Sequence, residues 1–371
     1  MKKILSFFGQ VLSRFDPILL GLACVGALYG IFLIMSATAS FGTKKLVVVQ
    51  LGALVMGLVA AFLIVLIDYE NLGSLAVWIY GGCIALLILT LIIGTERLGN
   101  KNWIIVGPLS MQPSEFVKVG FIVTFAAHVA KVKDDVSLPR GVLPLLLHFG
   151  VIFALVLKEG DLGTALVYMF MFIIMMFAAG LHWLYFTVST VAVVAAAPFV
   201  FSKLEDYQQK RILAVYDPSL DPTGFGYQMT QSKIAVGSGG LSGEGYMQGV
   251  QTQYSILPEK QTDFIFSVAG EELGFIGCAI IILLMTALII RIFYVAKNCR
   301  DTMGMVICAG AGAVFMFQSA VNIGMCLGLL PVVGITLPFF SYGGSSMLSS
   351  VCLIGLVMSV NSHRKTGFFK K

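Results

Sequence analysis

Ten long apolar runs alternate with short polar segments along the chain, falling near residues 17 to 38, 46 to 67, 75 to 94, 114 to 131, 141 to 158, 162 to 180, 184 to 202, 264 to 294, 303 to 328 and 343 to 361. A bilayer core needs roughly 20 apolar residues per helix. The runs are continuous, without the strict alternation of barrel strands, so each predicts a transmembrane helix. The expected fold is an all-α polytopic membrane protein with about ten transmembrane helices in a single membrane domain over 1–371. Lys2, Lys3 and Arg14 ahead of the first run, with Ala37-Thr38-Ala39 after it, resemble a signal peptide. The run is long enough to span and others follow, which favours an uncleaved first helix.

Lysine and arginine orient the set, because short cytoplasmic loops are enriched in them. With the N-terminus inside, the inner segments hold Lys2, Lys3, Arg14, Lys131, Lys133, Arg140, Arg291, Lys297, Arg300, Arg364, Lys365, Lys370 and Lys371, against Lys44, Lys45, Arg97, Lys101 and Lys158 in the short outer loops. Both termini are therefore expected in the cytoplasm. The one long polar loop, about 203–263, is then extracytoplasmic. It exceeds what a bare connection needs and is rich in turn formers, including Asp217-Pro218, Asp221-Pro222 and a glycine cluster over 237–245. Two further irregular segments, 95–113 and 329–345, fall on the same side, and no internal repeat is evident.

Composition agrees: 371 residues, 58% of them hydrophobic and only 12% charged, with mean hydropathy +0.93, cannot hide their apolar surface in one soluble core. The net charge of +5 is scattered through short loops, which excludes a nucleic-acid partner. The seven cysteines lie in or beside apolar runs with no CxxC spacing, and His128, His148, His182 and His363 are isolated, so both sets are expected to pack rather than to bind metal. The glycine cluster lacks the GK[ST] of a P-loop.

Chemistry concentrates in Leu257-Pro258-Glu259-Lys260-Gln261-Thr262-Asp263-Phe264. Pro258 suits a first helical position, and acids are favoured in a first turn. If this turn is helical, Glu259 and Asp263 share a face and Lys260 lies three before Asp263. Helix capping and general-base catalysis both fit that pattern. Glu115 and Lys118, three apart at the start of the fourth run, predict an ion pair anchoring that helix. Asp161 opens the sixth run as a cap, or helps Asp263 to hold a divalent cation such as Mg or Mn. Lys203, Lys210, Arg211, Lys233 and Lys260 make the outer loop cationic, as an anionic partner requires, although a solvated loop of mixed charge fits as well.

Together, Gln112-Pro113-Ser114-Glu115-Phe116-Val117-Lys118, Asp161-Leu162-Gly163-Thr164, the loop from Arg211 through Asp217-Pro218 to Gly226-Tyr227-Gln228 and Gln231-Ser232, Thr262-Asp263-Phe264, and Leu337-Pro338-Phe339-Phe340-Ser341-Tyr342-Gly343-Gly344-Ser345-Ser346 resemble the shape, elongation, division and sporulation (SEDS) family of bacteria, the RodA and FtsW family, in order and over nearly the whole chain. The resemblance implies a ten-helix peptidoglycan glycosyltransferase of the cytoplasmic (inner) membrane that polymerises lipid II at the outer face. It assigns Asp263 as the essential aspartate and general base, makes Glu115 and Lys118 an interacting pair near the cavity, and marks Trp103, Asp161, Arg211, Gln228 and Ser232 as recurrent motif positions. It also implies a class B penicillin-binding transpeptidase as partner, within an elongation or division complex. Pro258 to Asp263 and Gly334 to Phe340 look closer to the elongation type. A lipid II flippase and a non-catalytic scaffold are the competing expectations. A flippase predicts ionisable residues along a midplane path, whereas here they gather on one face.

Overall fold

The structure is a computed structural model and describes residues 15–97, 100–106 and 109–366. Lys2, Lys3, Arg14, Lys370 and Lys371, used above for orientation, lie outside these residues, as does Pro108. Each of the ten apolar runs forms a helix: α1 Pro17–Ala37, α2 Lys45–Leu66, then after a short α3 (Tyr69–Ser74) α4 Ala76–Ile93, α5 Pro113–Lys131, α6 Pro139–Lys158, α7 Leu162–Ala178 and α8 Trp183–Lys203. The one long polar loop contributes α9 Asp206–Leu213, α10 Phe225–Ser238 and α11 Val250–Gln253, and the last three long helices are α12 Ile265–Lys297, α13 Thr302–Cys326 and α14 Gly344–Thr366.

Among the described residues, seven helices are long and apolar enough to cross a membrane, and α7 with the apolar part of α8 are shorter apolar helices. Helix α5 is the exception, since Glu115, Lys118 and Lys131 lower its hydropathy. Interior and periphery separate clearly. In α13 and α14, 72% and 83% of the apolar window is buried, against 17% in α4. Helix α8 exposes Trp183, Val191, Val194 and Phe199, an apolar surface that suits contact with lipid.

Polar side chains fasten one end of the bundle. Asp16 caps α1 by accepting from the Ile18 and Leu19 amides, and its Oδ2 also accepts from Arg291 Nη2 at 2.6 Å and Asn361 Nδ2 at 2.8 Å. Tyr69 Oη donates to Asp301 at 2.6 Å, and His363 lies 3.0 Å from Asp68. The first, eighth and last long helices thus meet where both ends of the described chain lie. The polar motif stretches of the sequence gather at the other end.

Three expectations change. The segment 95–113 is not irregular but forms a small antiparallel sheet, β1 Thr95–Arg97, β2 Asn100–Val106 and β3 Leu109–Met111, with Thr95 opposite Trp103 and Ile104 opposite Met111. Two strands have three residues each, and the seven of β2 do not alternate apolar with polar. The long loop is not irregular either: it carries α9, α10 and α11, and Asp217 accepts from the Ser219 amide and Asp221 from the Phe225 amide, so its turn residues start successive helical segments. Helix α12 is not one uninterrupted rod. Its 33 residues would run about 50 Å, well beyond the roughly 30 Å of a bilayer core, and Gly274, at φ 65 and ψ −159, breaks it into a buried piece beside the site and a spanning piece. A residue with a Cβ is strained in that conformation.

Candidate active site

The helix start expected at Pro258 is absent. Glu259 has φ +47, residues 258–264 form consecutive turns, and α12 begins at Ile265. Asp263 is held instead by its backbone amide, which donates a hydrogen bond to Glu259 O at 3.1 Å. Its neighbour Thr262 donates through Oγ1 to Glu259 Oε2 at 3.0 Å, which leaves the Glu259 carboxylate exposed beside it.

The segment 331–343 folds over these turns. Ser341 Oγ donates to Thr262 O at 2.6 Å while accepting from the Leu337 amide, and the Tyr342 amide donates to Gln261 O at 2.8 Å. Gln50, buried in α2, grips the far side by donating to Ser341 O and accepting from the Gly343 amide, both at 3.0 Å. Gly334 lies against the carboxyl: at φ +73 it has the backbone glycine tolerates best, and a Cβ there would sit 3.6 Å from Asp263 Oδ2.

Asp263 is half-buried. Desolvation by burial and the Glu259 charge push its pKa up, with Asp161 adding and the Arg211 guanidinium opposing, and the result is about 7. Arg211 comes from α9, where its guanidinium carbon stands 4.2 Å from the centre of the Phe225 ring, a geometry that orients a cation without removing its charge.

Asp161 caps α7, as one of its two readings expects: Oδ1 accepts from the Thr164 amide at 2.8 Å. Its Oδ2 accepts from Thr164 Oγ1 at 2.8 Å, Asn102 Nδ2 at 2.7 Å and Gln112 Nε2 at 2.9 Å, so it joins β2, α5 and α7. Two residues earlier, the Glu159 side chain is buried and neither carboxyl oxygen has a hydrogen-bond partner. Burial, with the Asp161 charge, pushes its pKa up to about 8. Trp103, half-buried, follows Asn102 on β2.

Glu115 and Lys118 form the expected ion pair at 2.7 Å, buried, with Ser349 of α14 donating to Glu115 Oε2 at 2.7 Å. Lys260 corrects the idea that it faces an anionic partner. It is buried, donates to Ser40 Oγ at 2.9 Å, to Ser255 Oγ at 3.1 Å and to Thr252 O, and lies 5.2 Å from the centre of the Phe41 ring. Its donors are occupied in bracing the loop. Ser232 likewise turns into packing, 2.6 Å from Ser267 Oγ and donating to Cys326 O at 2.8 Å. Gln228 is half-buried on α10.

The first piece of α12 supports this loop. Glu271 accepts from the Gln251 and Thr252 amides at 2.6 and 3.0 Å, and Glu272 accepts from Ser36 Oγ at 2.5 Å and Gln253 Nε2 at 2.8 Å. Sequence reasoning missed these two acids, together with Asn102, Glu159, Gln50 and Asn322. For Gln50, Asn322 and the adjacent Glu271 and Glu272, a polar interruption of an apolar run was the available signal. The histidines are not all isolated: His128 and His148 bring their Nδ1 atoms to 3.1 Å, packed beside Phe121 and Phe125. All seven cysteines are free thiols. Among the described residues no group of three or more His, Cys, Asp or Glu could hold a metal.

The model of a family described as "Cell cycle protein" (FtsW, RodA, SpoVE) matches residues 17–366. The chain is 36% identical over 352 residues to peptidoglycan glycosyltransferase MrdB of Escherichia coli K12, covering 94% of each chain. It is 36% identical over 365 residues to a probable peptidoglycan glycosyltransferase FtsW of Trichlorobacter lovleyi, covering 95% of each, and 38% identical over 317 residues to stage V sporulation protein E of Bacillus subtilis, covering 84% and 85%. Among solved structures, a chain from a peptidoglycan synthase complex that coordinates polymerization and crosslinking superposes with TM-score 0.82 at 30% identity, covering 96% of this chain and 99% of that one. The rod shape determining protein RodA of Thermus thermophilus superposes with TM-score 0.70 at 30% identity, covering 94% and 97%. This chain is therefore a polytopic helical membrane protein and belongs to the RodA, FtsW and SpoVE family, the SEDS family that its motifs resemble.

Proposed function

We propose that this protein is a peptidoglycan glycosyltransferase that polymerises lipid II at the outer face of the cytoplasmic membrane, in cell-wall elongation. The observation that carries the reading is Asp263: a half-buried carboxyl with a pKa of about 7, under the charge of Arg211 and at the end of the bundle away from the described termini. A general base works best when its pKa lies near the working pH. The names borne by relatives at 36% identity support the reaction class. The distribution of Lys and Arg supports the outer face. The division and elongation relatives match at the same identity, so the lean to elongation rests on Pro258 to Asp263 and Gly334 to Phe340.

In this reaction the 4-hydroxyl oxygen of the acceptor sugar forms a bond to the donor's anomeric carbon. The bond from that carbon to the pyrophosphate oxygen breaks, and the electron pair leaves with the lipid pyrophosphate. Asp263, ionised, takes the hydroxyl proton. Inversion from an α-linked donor to a β-linked product fits direct displacement with one base. Arg211 supplies a planar donor set for the leaving phosphate. Asp161 and the Glu115–Lys118 pair shape the wall around these groups, and Trp103 and Gln228 belong to the same set of motif positions.

Asp263 and Asp161 are the carboxylates that would hold a divalent cation, which would supply charge neutralisation of the leaving pyrophosphate. Asp161 already accepts four hydrogen bonds, so such a cation would be expected to enter with the pyrophosphate rather than to reside in the protein. Tight Mn²⁺ binding to the substrate-free protein, followed by its electron paramagnetic signal, would refute that order.

The solved complex that couples polymerization to crosslinking supports a class B penicillin-binding transpeptidase as partner. The test uses purified protein with its cognate transpeptidase, labelled lipid II and Mg²⁺. Wild type is expected to make glycan polymer and Asp263→Ala none while remaining folded. Polymer from the variant at the wild-type rate would end the general-base assignment, and lipid II movement across vesicles without polymer would favour the flippase.

A further inference from the structure

A carboxylate can serve as base only if the backbone that carries it is fixed, and Asp263 sits in a run of turns with no helical ladder to hold its carbonyl. That carbonyl is taken by a side chain. Asn322, wholly buried on α13, donates one amide hydrogen to Asp263 O at 2.9 Å and the other to Ile335 O at 2.7 Å. Ile335 follows Gly334, the residue that stands against the Asp263 carboxyl on its other side. One planar amide therefore ties together the segment that bears the carboxylate and the segment that faces it. Cys326, one helical turn further along α13, points its thiol at the same Asp263 carbonyl from 3.6 Å.

Both acceptors are carbonyls of loop segments rather than groups of a neighbouring helix. An asparagine that merely joined helices would direct its donors across a helix interface; this one directs both into the site. Leaving two buried carbonyls without donors is unfavourable, so the amide orients the chain around it as much as the chain orients the amide.

We propose that Asn322 is a positioning residue for the polymerase reaction, its amide setting the place of the Asp263 carboxylate relative to the acceptor hydroxyl. The inference rests on the general-base reading of Asp263. The charged and titratable groups around that carboxylate are Glu259 on its own segment, Arg211 from α9, Asp161 at the start of α7 and the Cys326 thiol of α13.

The test compares wild type, Asn322→Leu, Asn322→Gln and Asp263→Asn, each purified with the cognate transpeptidase and assayed for turnover of labelled lipid II from pH 5.5 to 8.5. A displacement of about 1 Å at a reacting group costs on the order of 100-fold. Both Asn322 variants are therefore expected to lower kcat by roughly 10- to 100-fold with KM little changed. Asn322→Leu frees the carboxylate toward water and should move the acid limb of the kcat profile to lower pH, by about half a unit or more. If Asn322→Leu fails to give monodisperse protein, Asn322→Gln decides, since it keeps both donors but carries them one methylene too far. Folded Asn322→Leu with kcat within about twofold of wild type or with kcat lowered at an unmoved limb overturns the inference, as does folded Asn322→Gln with kcat within about twofold of wild type or with KM raised as far as kcat falls. Activity retained by Asp263→Asn overturns instead the base reading on which it stands.

Discussion

Lys118 Nζ lies 2.7 Å from Glu115 Oε1 inside the bundle, and Ser349 of α14 donates to the other carboxylate oxygen. Removing one member of such a buried pair strands a charge, at a cost of about 3–5 kcal/mol, whereas removing both costs far less. Glu115→Gln and Lys118→Met should each lower thermal stability in detergent, and the double variant should recover most of the loss. Additive losses would show that the two charges do not depend on each other.

The acid limb of polymerisation should follow Asp263. Its carboxyl ionises near pH 7, so turnover rises as pH passes upward through that value. Glu259→Gln removes a like charge and should move the limb to lower pH; Arg211→Gln removes an opposing charge and should move it higher. Rates measured across pH for the three proteins check both directions, and a limb indifferent to either change would assign it to another group.

Glu159 gives a stability prediction of definite sign. Its folded-state pKa is about 8 against an ordinary 4.5, so between those values the folded protein keeps a proton that the unfolded chain has lost. Stability then falls as pH rises from 4.5, and the penalty is complete above 8. Glu159→Gln should flatten this dependence and raise the unfolding temperature at pH 8.5 while changing it little at pH 4.5. Melting curves at the two values decide the matter; parallel shifts at both would contradict it.

Lys260 and Arg211, both cationic in the same loop, should behave differently. Lys260 braces Ser40, Ser255 and Thr252, so Lys260→Met leaves the buried Thr252 carbonyl without this donor, at about 1–3 kcal/mol. Faster proteolysis within 250–263, with KM for lipid II unchanged, is expected of it. Arg211→Gln should raise KM instead. A raised KM for Lys260→Met with an intact loop would return that lysine to the substrate.

By itself the sequence determined the helices, because each apolar run must satisfy its own backbone hydrogen bonds in lipid, and run length alone then marks a span. It also marked the polar stretches that a bilayer would otherwise reject, which is why Asp263, Glu115 and Asp161 were visible. Tertiary structure decided what each polar group does. Lys260 and Arg211 read alike as cations, yet one is enclosed by acceptors and the other remains near the carboxylate. Pro258 and Glu259 read as a helix start, but the hydrogen bonds from Ser341, Tyr342 and Asn322, 60 to 80 residues away, hold that segment in turns. Gln50 and Asn322 were single polar letters in apolar runs, and Glu159 was one charge among its neighbours Lys158 and Asp161. Their roles depend on which distant carbonyl, amide or charge lies within about 3 Å, a range set by how the helices pack and not by the order of residues along the chain.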